Sequence, residues 1–258
     1  MNSPLTFSSA FSLNGETALI TGGGSGIGLA MAEAMYAAGA RVVLVGRREP
    51  ELAAAAKSLG ERASFFIHDI TQLEAAGALV ERVTREVGPI TCLVNNAGIQ
   101  IKKAAVEMTT EDFQRMLNTH IVGAHALIRA VAPGMMERKH GSILFTASMA
   151  SIFGIPYVIA YTAAKTAMVG MVKGYAVEFS PHNVRVNAIA PGWIDTAMSR
   201  KAFEGDPARK NKILARTPMA KLGISEDVAW AAVYLSSPAA KFVTGVTLPV
   251  DGGVSIGF

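Results

Sequence analysis

Tyr161 and Lys165 stand four residues apart in the stretch "YTAAK". On a helix that spacing sets a phenol and an ammonium on one face. A neighbouring cation stabilises phenolate and lowers the tyrosine pKa, so Tyr161 could exchange a proton near neutral pH. Thirteen residues earlier, Ser148 follows the apolar run Gly141–Thr146. Strand ends of this kind are where α/β folds collect ligands, and a serine hydroxyl there can hydrogen-bond a carbonyl oxygen. Together the three residues suit proton exchange at a carbonyl or carbinol oxygen. A metal is not expected, because no His, Cys, Asp or Glu cluster has ligand spacing.

Hydride chemistry at such a carbon needs a dinucleotide, and "TGGGSGIG" (Thr21–Gly28) offers a place for one. Gly22, Gly26 and Gly28 let the chain turn tightly and approach a pyrophosphate, which the N-terminus of the following helix attracts. The spacing differs from the common GxGxxG fingerprint, so the flanking strand and helix carry much of the argument. The end of the second strand reads Gly46, Arg47, Arg48. No carboxylate stands there to take a ribose 2′-hydroxyl, and Arg47 could pair with a 2′-phosphate. NADP(H) is therefore favoured over NAD(H). Ser25 supplies no second base for that phosphate.

The elements that must position these groups alternate along the chain. Strands are expected at Thr17–Thr21, Arg41–Val45, Ala63–His68, Cys92–Asn95, Gly141–Thr146, Arg185–Ile189 and Thr247–Val250. Between them helices are expected at Gly26–Ala38, Glu49–Leu59, Leu73–Val87, Glu111–Arg138, Tyr157–Phe179 and Glu226–Leu235. Nearly continuous apolar strands alternating with helices predict a seven-stranded parallel sheet covered on both faces, doubly wound and forming a single domain over residues 1–258. The segment Thr196–Pro218 stands apart, with six basic and two acidic residues, and suits a basic substrate lid.

The bulk properties narrow the function. Half of the 258 residues are hydrophobic, and 24 Lys+Arg face 20 Asp+Glu for a net charge of +4. That excess is small, and no basic run is interleaved with aromatics, so nucleic acid is not an expected partner. The single cysteine, Cys92, fits a reducing compartment and a buried strand position. The N-terminal stretch lacks the pattern of a secretory signal, so a cytoplasmic protein is expected. Residues 141–164 are free of charge, but Gly154, Pro156, three serines and two threonines favour strand, loop and helix over a membrane span.

With these motifs in order, the chain resembles the short-chain dehydrogenase/reductase family. The resemblance rests on "TGGGSGIG" (21–28), Asp69 after the third strand, "NNAG" (95–98), Ser148, "YTAAK" (161–165), "PGWIDT" (191–196) and "VDGG" (250–253), covering nearly the whole chain. It implies a Rossmann-type fold and NAD(P)-dependent carbonyl/alcohol oxidoreduction. Asp69 would meet the adenine, and Asn95 with Gly98 would support the cofactor side of the central strand. Ser148 would polarise the carbonyl, Tyr161 would donate or accept the proton, and Lys165 would hold the nicotinamide ribose and tune Tyr161. Thr196 and the backbone near Ile194 would hold the carboxamide. The implied cofactor contacts also take in Ser25, Ile27, Ile70, Ala97, Pro191 and Gly192. A homotetramer is implied as well.

Local features ("FSLNGETALITGG", "VNNAGIQ", "RTPMAKLG") are most similar to gluconate 5-dehydrogenases and related sugar-acid dehydrogenases. The expected substrate is thus a small secondary alcohol or ketone of a sugar acid, sugar or polyol. Lys102, Lys103 and the basic segment would favour an anionic one. Two alternatives stay open: a 3-oxoacyl thioester reductase of the same family, and a catalytically silent dinucleotide-binding module.

One position departs from the family. "LNTHIVGAH" (117–125) puts His120 where the family carries an asparagine that bends the helix and offers a main-chain carbonyl to a water beside the lysine. The imidazole could join the proton relay, since it titrates near neutral pH, or be a tolerated polar substitution. His125, five residues on, points about 140° away on a regular helix, which disfavours a chelating pair and suggests a packing or interface role.

Overall fold

Strands rich in Val, Ile, Leu and Ala lie parallel in one sheet: β1 (Thr17–Thr21), β2 (Arg41–Gly46), β3 (Ala63–Ile67), β4 (Cys92–Asn95), β5 (Gly141–Thr146), β6 (Val184–Pro191) and β7 (Thr247–Val250). The order across the sheet is β3-β2-β1-β4-β5-β6-β7. This computed structural model describes residues 6–196, 199–200 and 207–257. Every residue of β1 and β5 is buried, as expected for strands with helices on both sides.

Side-chain alternation along the strands assigns each residue to one of two cores. Ala18, Ile20, Val42, Leu44, Val94 and Leu144 face α1 (Gly26–Ala37), α2 (Glu49–Leu59) and α8 (Ser225–Ser236), and meet Met31, Met35, Leu52, Val228 and Val233. Leu19, Val43, Leu93, Ile143 and Phe145 face α3 (Ala76–Glu86), α5 (Gly123–Arg138) and α6 (Ile159–Phe179), and meet Val83, Leu127, Val131, Met168 and Val172. Two further helices are α4 (Thr110–Leu117) and α7 (Pro207–Arg216), and a single helical turn spans Phe7–Ala10.

The chain winds outward from β1 to β3, then crosses back to place β4 on β1's other edge. The C-terminal ends of β1 and β4 therefore diverge, and a crevice opens between them, the place where open α/β sheets bind ligands. The glycine loop, "NNAG" and the residues after β5 all emerge there.

Three expectations change. The long helix expected over Glu111–Arg138 is α4 and α5 joined by a π turn at Asn118–Val122, where the Gly123 N–H reaches the Asn118 carbonyl. One residue more than an α-turn is accommodated, and π-bulges of this kind occur frequently at functional sites. The helix expected from Tyr157 starts at Ile159, because Tyr157 has a left-handed φ of 68° that no right-handed helix can hold. Within 196–218, expected only as a charged lid, residues 207–216 form α7. Thr196 and Ser199–Arg200 are described, whereas Lys201, Glu204 and Asp206 lie outside the described residues. Among the described residues no helix is long and apolar enough to cross a membrane; the charge-free run 141–164 divides into β5, a one-turn helix and the start of α6.

Opposite the crevice, at the N-terminal ends of the strands, His140 Nε2 meets both Glu16 carboxylate oxygens at 2.9 and 3.0 Å. This ties the entry of β5 to that of β1. The Glu16 hydrogen bond raises the His140 pKa above its usual 6.5. Burial works to raise Glu16, but the His140 and Thr91 hydrogen bonds outweigh it and hold that carboxyl below 4.5. The stabilisation should be fully present between the two ordinary values. It should fade as pH rises through the elevated His140 pKa, and again as pH falls through the depressed Glu16 pKa. Thermal denaturation of wild type and His140→Ala checks this: the Tm gap is expected to be larger at about pH 6 than at about pH 9.

Candidate active site

At the crevice the side chains line a cleft of ≈ 680 Å³, within the range of small-molecule and cofactor sites. Gly22, Ser25, Gly26, Ile27 and Gly28 form one wall. Arg47, Arg48, Asp69 and Ile70 close one end, and His120, Tyr161, Lys165 and Thr196 the other. The glycines are required where they stand. Gly22 has φ 67°, and a Cβ on Gly28 would lie 2.2 Å from the Gly22 carbonyl oxygen. A Cβ on Gly26 would meet nothing within 4 Å, so that part of the loop presents bare backbone to the cleft at the start of α1.

The three strand ends are laced together by Asn96. Its backbone N–H donates to Thr21 Oγ1 at 3.0 Å and its side-chain amide to the Thr21 carbonyl at 3.0 Å. Its Oδ1 accepts the Thr146 hydroxyl at 3.2 Å. The Thr146 carbonyl in turn takes the Lys165 ammonium at 2.5 Å. A continuous path thus runs from β1 through the loop after β4 and the end of β5 to the lysine of α6.

Lys165 is 3% exposed, and burial pulls its pKa down to about 7. Its Nζ lies 5.4 Å from the centre of the Tyr161 ring. The expectation that this ammonium lowers the Tyr161 pKa is corrected. Burial raises it, the Ser148 hydroxyl hydrogen bond only partly offsetting the rise. Lys165 lies over the ring and donates to the Thr146 carbonyl, while Ser148 is the group that hydrogen-bonds the phenol. Ser148 begins a one-turn helix and accepts the Ala150 N–H at 3.1 Å, which fixes its Oγ. The phenol and the buried amine line a dinucleotide-sized cleft, and the Ser148 hydroxyl meets them through its hydrogen bond to the phenol.

A family profile described as enoyl-(acyl carrier protein) reductase matches residues 22–255. Gluconate 5-dehydrogenase of Gluconobacter oxydans is 36% identical over 249 residues, 95% of this chain and 97% of that protein. A 3-oxoacyl-[acyl-carrier-protein] reductase of Vibrio harveyi is 35% identical over 94% of this chain and 98% of its own. The crystal structure of a gluconate 5-dehydrogenase from Burkholderia cenocepacia, in complex with NADP and tartrate, superposes with a TM-score of 0.94 at 32% identity, covering 98% of this chain and 100% of that one. The chain belongs to the short-chain dehydrogenase/reductase family. It is accordingly an NAD(P)-dependent oxidoreductase with the family's Rossmann-type fold.

Of the residues expected at the family's cofactor site, Ala97 and Gly98 also line the cleft, but Asn95, Pro191, Gly192 and Ile194 do not. Asn95 points away from it: its amide is buried with neither side-chain atom partnered, and its neighbour Asn96 makes the bonds. Strand alternation carries the signal, since successive side chains point to opposite faces. Pro191 ends β6, Gly192 packs so closely that a Cβ would lie 2.6 Å from Asp251 Cα, and Ile194 is buried and bridges to Gly223.

Asp69 holds the Thr71 N–H and hydroxyl at 3.0 and 2.8 Å and lies 3.5 Å from Arg47. Burial would raise its pKa, but these partners bring it below the ordinary value. Sequence reasoning gave Arg48 no role. Its guanidinium crosses to Ser25 Oγ at 3.0 Å and to Glu51 at 2.9 Å, so the glycine loop gains from the start of α2 the cation that position 25 itself lacks. The doubled arginine of "GRR" was the available signal. Lys103 is engaged by Asp112.

His120 is 2% exposed. Its Nε2 lies 2.8 Å from the Ile99 carbonyl oxygen and 3.2 Å from the Ile99 N–H. Its ring stands edge-on to Tyr161 at 5.6 Å. Burial, then the charge of Lys165, depress its pKa to about 3, which overturns the expectation of titration near neutrality. A protonatable relay member needs a nearby pKa; this imidazole stays neutral and braces the loop after β4. Gly98 makes room for it, since a Cβ there would lie 2.3 Å from His120 Cε1. His125 is occupied separately, its Nδ1 bonded to the Tyr175 hydroxyl and its ring stacked on Tyr175.

A carboxamide at position 120 can donate to the Ile99 carbonyl and accept from its N–H together, whereas one ring nitrogen does only one. His120→Asn should therefore keep both the pH–rate profile of wild type and its Tm. His120→Leu should lower stability by about 1–3 kcal/mol, the cost of leaving a buried backbone group unpaired, read from denaturant unfolding. A shifted acid limb in His120→Asn would place the imidazole in proton transfer instead.

Proposed function

We propose that this protein interconverts a secondary alcohol and a ketone on a sugar acid, sugar or polyol, with NADP(H) preferred over NAD(H). The observation that carries it is the Tyr161 phenol, hydrogen-bonded by Ser148, beside Lys165 at one end of a cleft whose other end holds two arginines. The residues fit a dinucleotide: the Gly26 backbone opens onto the cleft and Gly28 leaves no room for a Cβ, while Arg47 and Arg48 sit where a 2′-phosphate would be received. Bound there, the nicotinamide supplies or takes up the hydride.

The protein's own groups handle the proton. For reduction, Ser148 and Tyr161 hydrogen-bond the carbonyl oxygen, and the Tyr161 phenol, kept protonated by burial, gives its proton as the oxygen becomes a hydroxyl. For oxidation the phenol must first lose that proton, and the substrate hydroxyl then returns one to it. Lys165, anchored on Thr146, holds the ribose and supplies positive charge when protonated. Thr196 at the cleft edge receives the carboxamide, and the basic segment 196–218 serves as the substrate lid. The sugar-acid assignment is supported by the gluconate 5-dehydrogenases among the relatives and solved structures. A 3-oxoacyl thioester is supported by the carrier-protein reductases at similar identity. The homotetrameric assembly implied by the family resemblance and the cytoplasmic location expected from the sequence belong to the same proposal.

Three measurements test it. Nicotinamide absorbance with NADP and NAD against gluconate, 5-ketogluconate, polyols and acetoacetyl thioesters should show turnover of the sugar acid with NADP; turnover of thioesters alone would shift the assignment to the second substrate class. Tyr161→Phe should lose about 10²–10⁴-fold in kcat while binding NADPH normally, and oxidation by wild type should rise with pH because its tyrosine pKa is elevated. Arg48→Ala should raise the KM for NADPH by about tenfold or more with little change for NADH, as expected for loss of a charge-assisted contact to phosphate.

A further inference from the structure

Four charged side chains gather at the arginine end of the cleft, and their charges cancel. Arg47 lies 3.5 Å from Asp69, and Arg48 lies 2.9 Å from Glu51. All four residues line the cleft. A 2′-phosphate carries close to two negative charges near neutral pH, and arginines hold such a group by charge-assisted bonds. Here each guanidinium already has a carboxylate beside it.

The two carboxylates are held differently. Asp69 accepts the N–H and the hydroxyl of Thr71, which fix it to the turn after β3. Glu51 stands in the first turn of α2, three residues after Arg48, and Arg48 is its ion-pair partner among the described residues. That pair also reaches the glycine loop. The second terminal nitrogen of Arg48 donates to Ser25 Oγ at 3.0 Å. Ser25 is the N-cap of α1, yet its hydroxyl takes no bond from that helix, the ordinary use of a serine there. The approach is close: a Cβ on Gly24 would lie 3.2 Å from Leu52 Cδ2 and 3.5 Å from the Glu51 carbonyl carbon. Glu51, Arg48 and Ser25 thus form one chain of contacts from α2 to the start of α1.

A 2′-phosphate received by Arg48 meets a carboxylate already on that guanidinium. It must share the cation or displace Glu51, and like charges in one cleft repel. A ribose 2′-hydroxyl carries no charge and meets no such competition. We propose that Glu51 is a specificity-determining residue of the cofactor site: its carboxylate competes with the 2′-phosphate for Arg48 and so narrows the preference for NADP(H) over NAD(H). This rests on the dinucleotide reading above. Asp69, bonded to Thr71, stays with its turn, so Glu51 is the carboxylate whose loss frees a guanidinium without loosening the backbone.

The test titrates the full-length protein with NADPH and with NADH, without substrate, and follows nicotinamide fluorescence. Glu51→Gln keeps the size of the side chain and removes its charge. It should lower the Kd for NADPH by about threefold or more, the scale of releasing an exposed ion pair, and change the Kd for NADH by less than about twofold. Its Tm should stay close to that of wild type. Glu49 shares the first turn of α2 but does not line the cleft. Glu49→Gln removes the same charge and should leave both Kd values as they are, which separates competition at Arg48 from bulk charge. Wild type that binds neither dinucleotide overturns the cofactor reading itself. Where wild type binds NADPH, the proposal alone is overturned by a smaller gain in Glu51→Gln, by a loss of NADPH affinity, or by an equal gain in Glu49→Gln.

Discussion

The Asn96 side chain is the fastening on which the site depends. A parallel sheet splays at its switch point, and nothing in the ladder holds β1, β4 and β5 in register beyond their last paired residues. One amide bonded to Thr21 and Thr146 closes that gap and sets two consequences. The Gly22–Gly28 turn can approach only because Gly28 has no Cβ, which would lie 2.2 Å from the Gly22 carbonyl oxygen and 2.5 Å from the Asn96 amide nitrogen. The Thr146 carbonyl is also held in place to receive Lys165. Cofactor cradle and proton-transfer residues, which lie more than a hundred positions apart in sequence, are positioned by the same few hydrogen bonds.

The electrostatics of the floor are governed by burial more than by pairing. Lys165, Tyr161 and His120 are each driven toward their uncharged forms. For Lys165 this brings the pKa into the neutral range, where an amine can change charge in response to its surroundings. For His120 it favours the neutral ring, which sits between Ile99 and Tyr161. The same ring type is buried and held neutral here, while at His140, half in water, the Glu16 carboxylate shifts it the other way, toward its cationic form.

Much of the architecture was legible because it is periodic. Seven strands read as apolar runs, and the glycine turn, Ser148, Tyr161 and Lys165 followed from their order and spacing. What could not be read depends on direction at the scale of one residue. Asn95 and Asn96 are the same residue type side by side, and only the strand's final pleat decides which one faces the cleft. Arg47 and Arg48 are another such pair, and the reach of Arg48 to Ser25 depends on the packing of α2. The depressed His120 pKa and the raised Tyr161 pKa arise from tertiary burial, which pattern alone does not supply. The π turn was likewise invisible, because five residues of an amphipathic helix carry no mark of a widened ring.

That widened ring gives the segment a particular history and vulnerability. A turn at Asn118–Val122 with one residue more than its neighbours is what a single-codon insertion into an ordinary helix leaves behind. Removing one residue there would wind α4 and α5 into one continuous rod and rotate everything N-terminal to it by about 100° about the axis. Met116, now fully buried, would swing toward the flank. The length of this stretch therefore decides which face α4 turns to the core, whatever side chain stands at position 120.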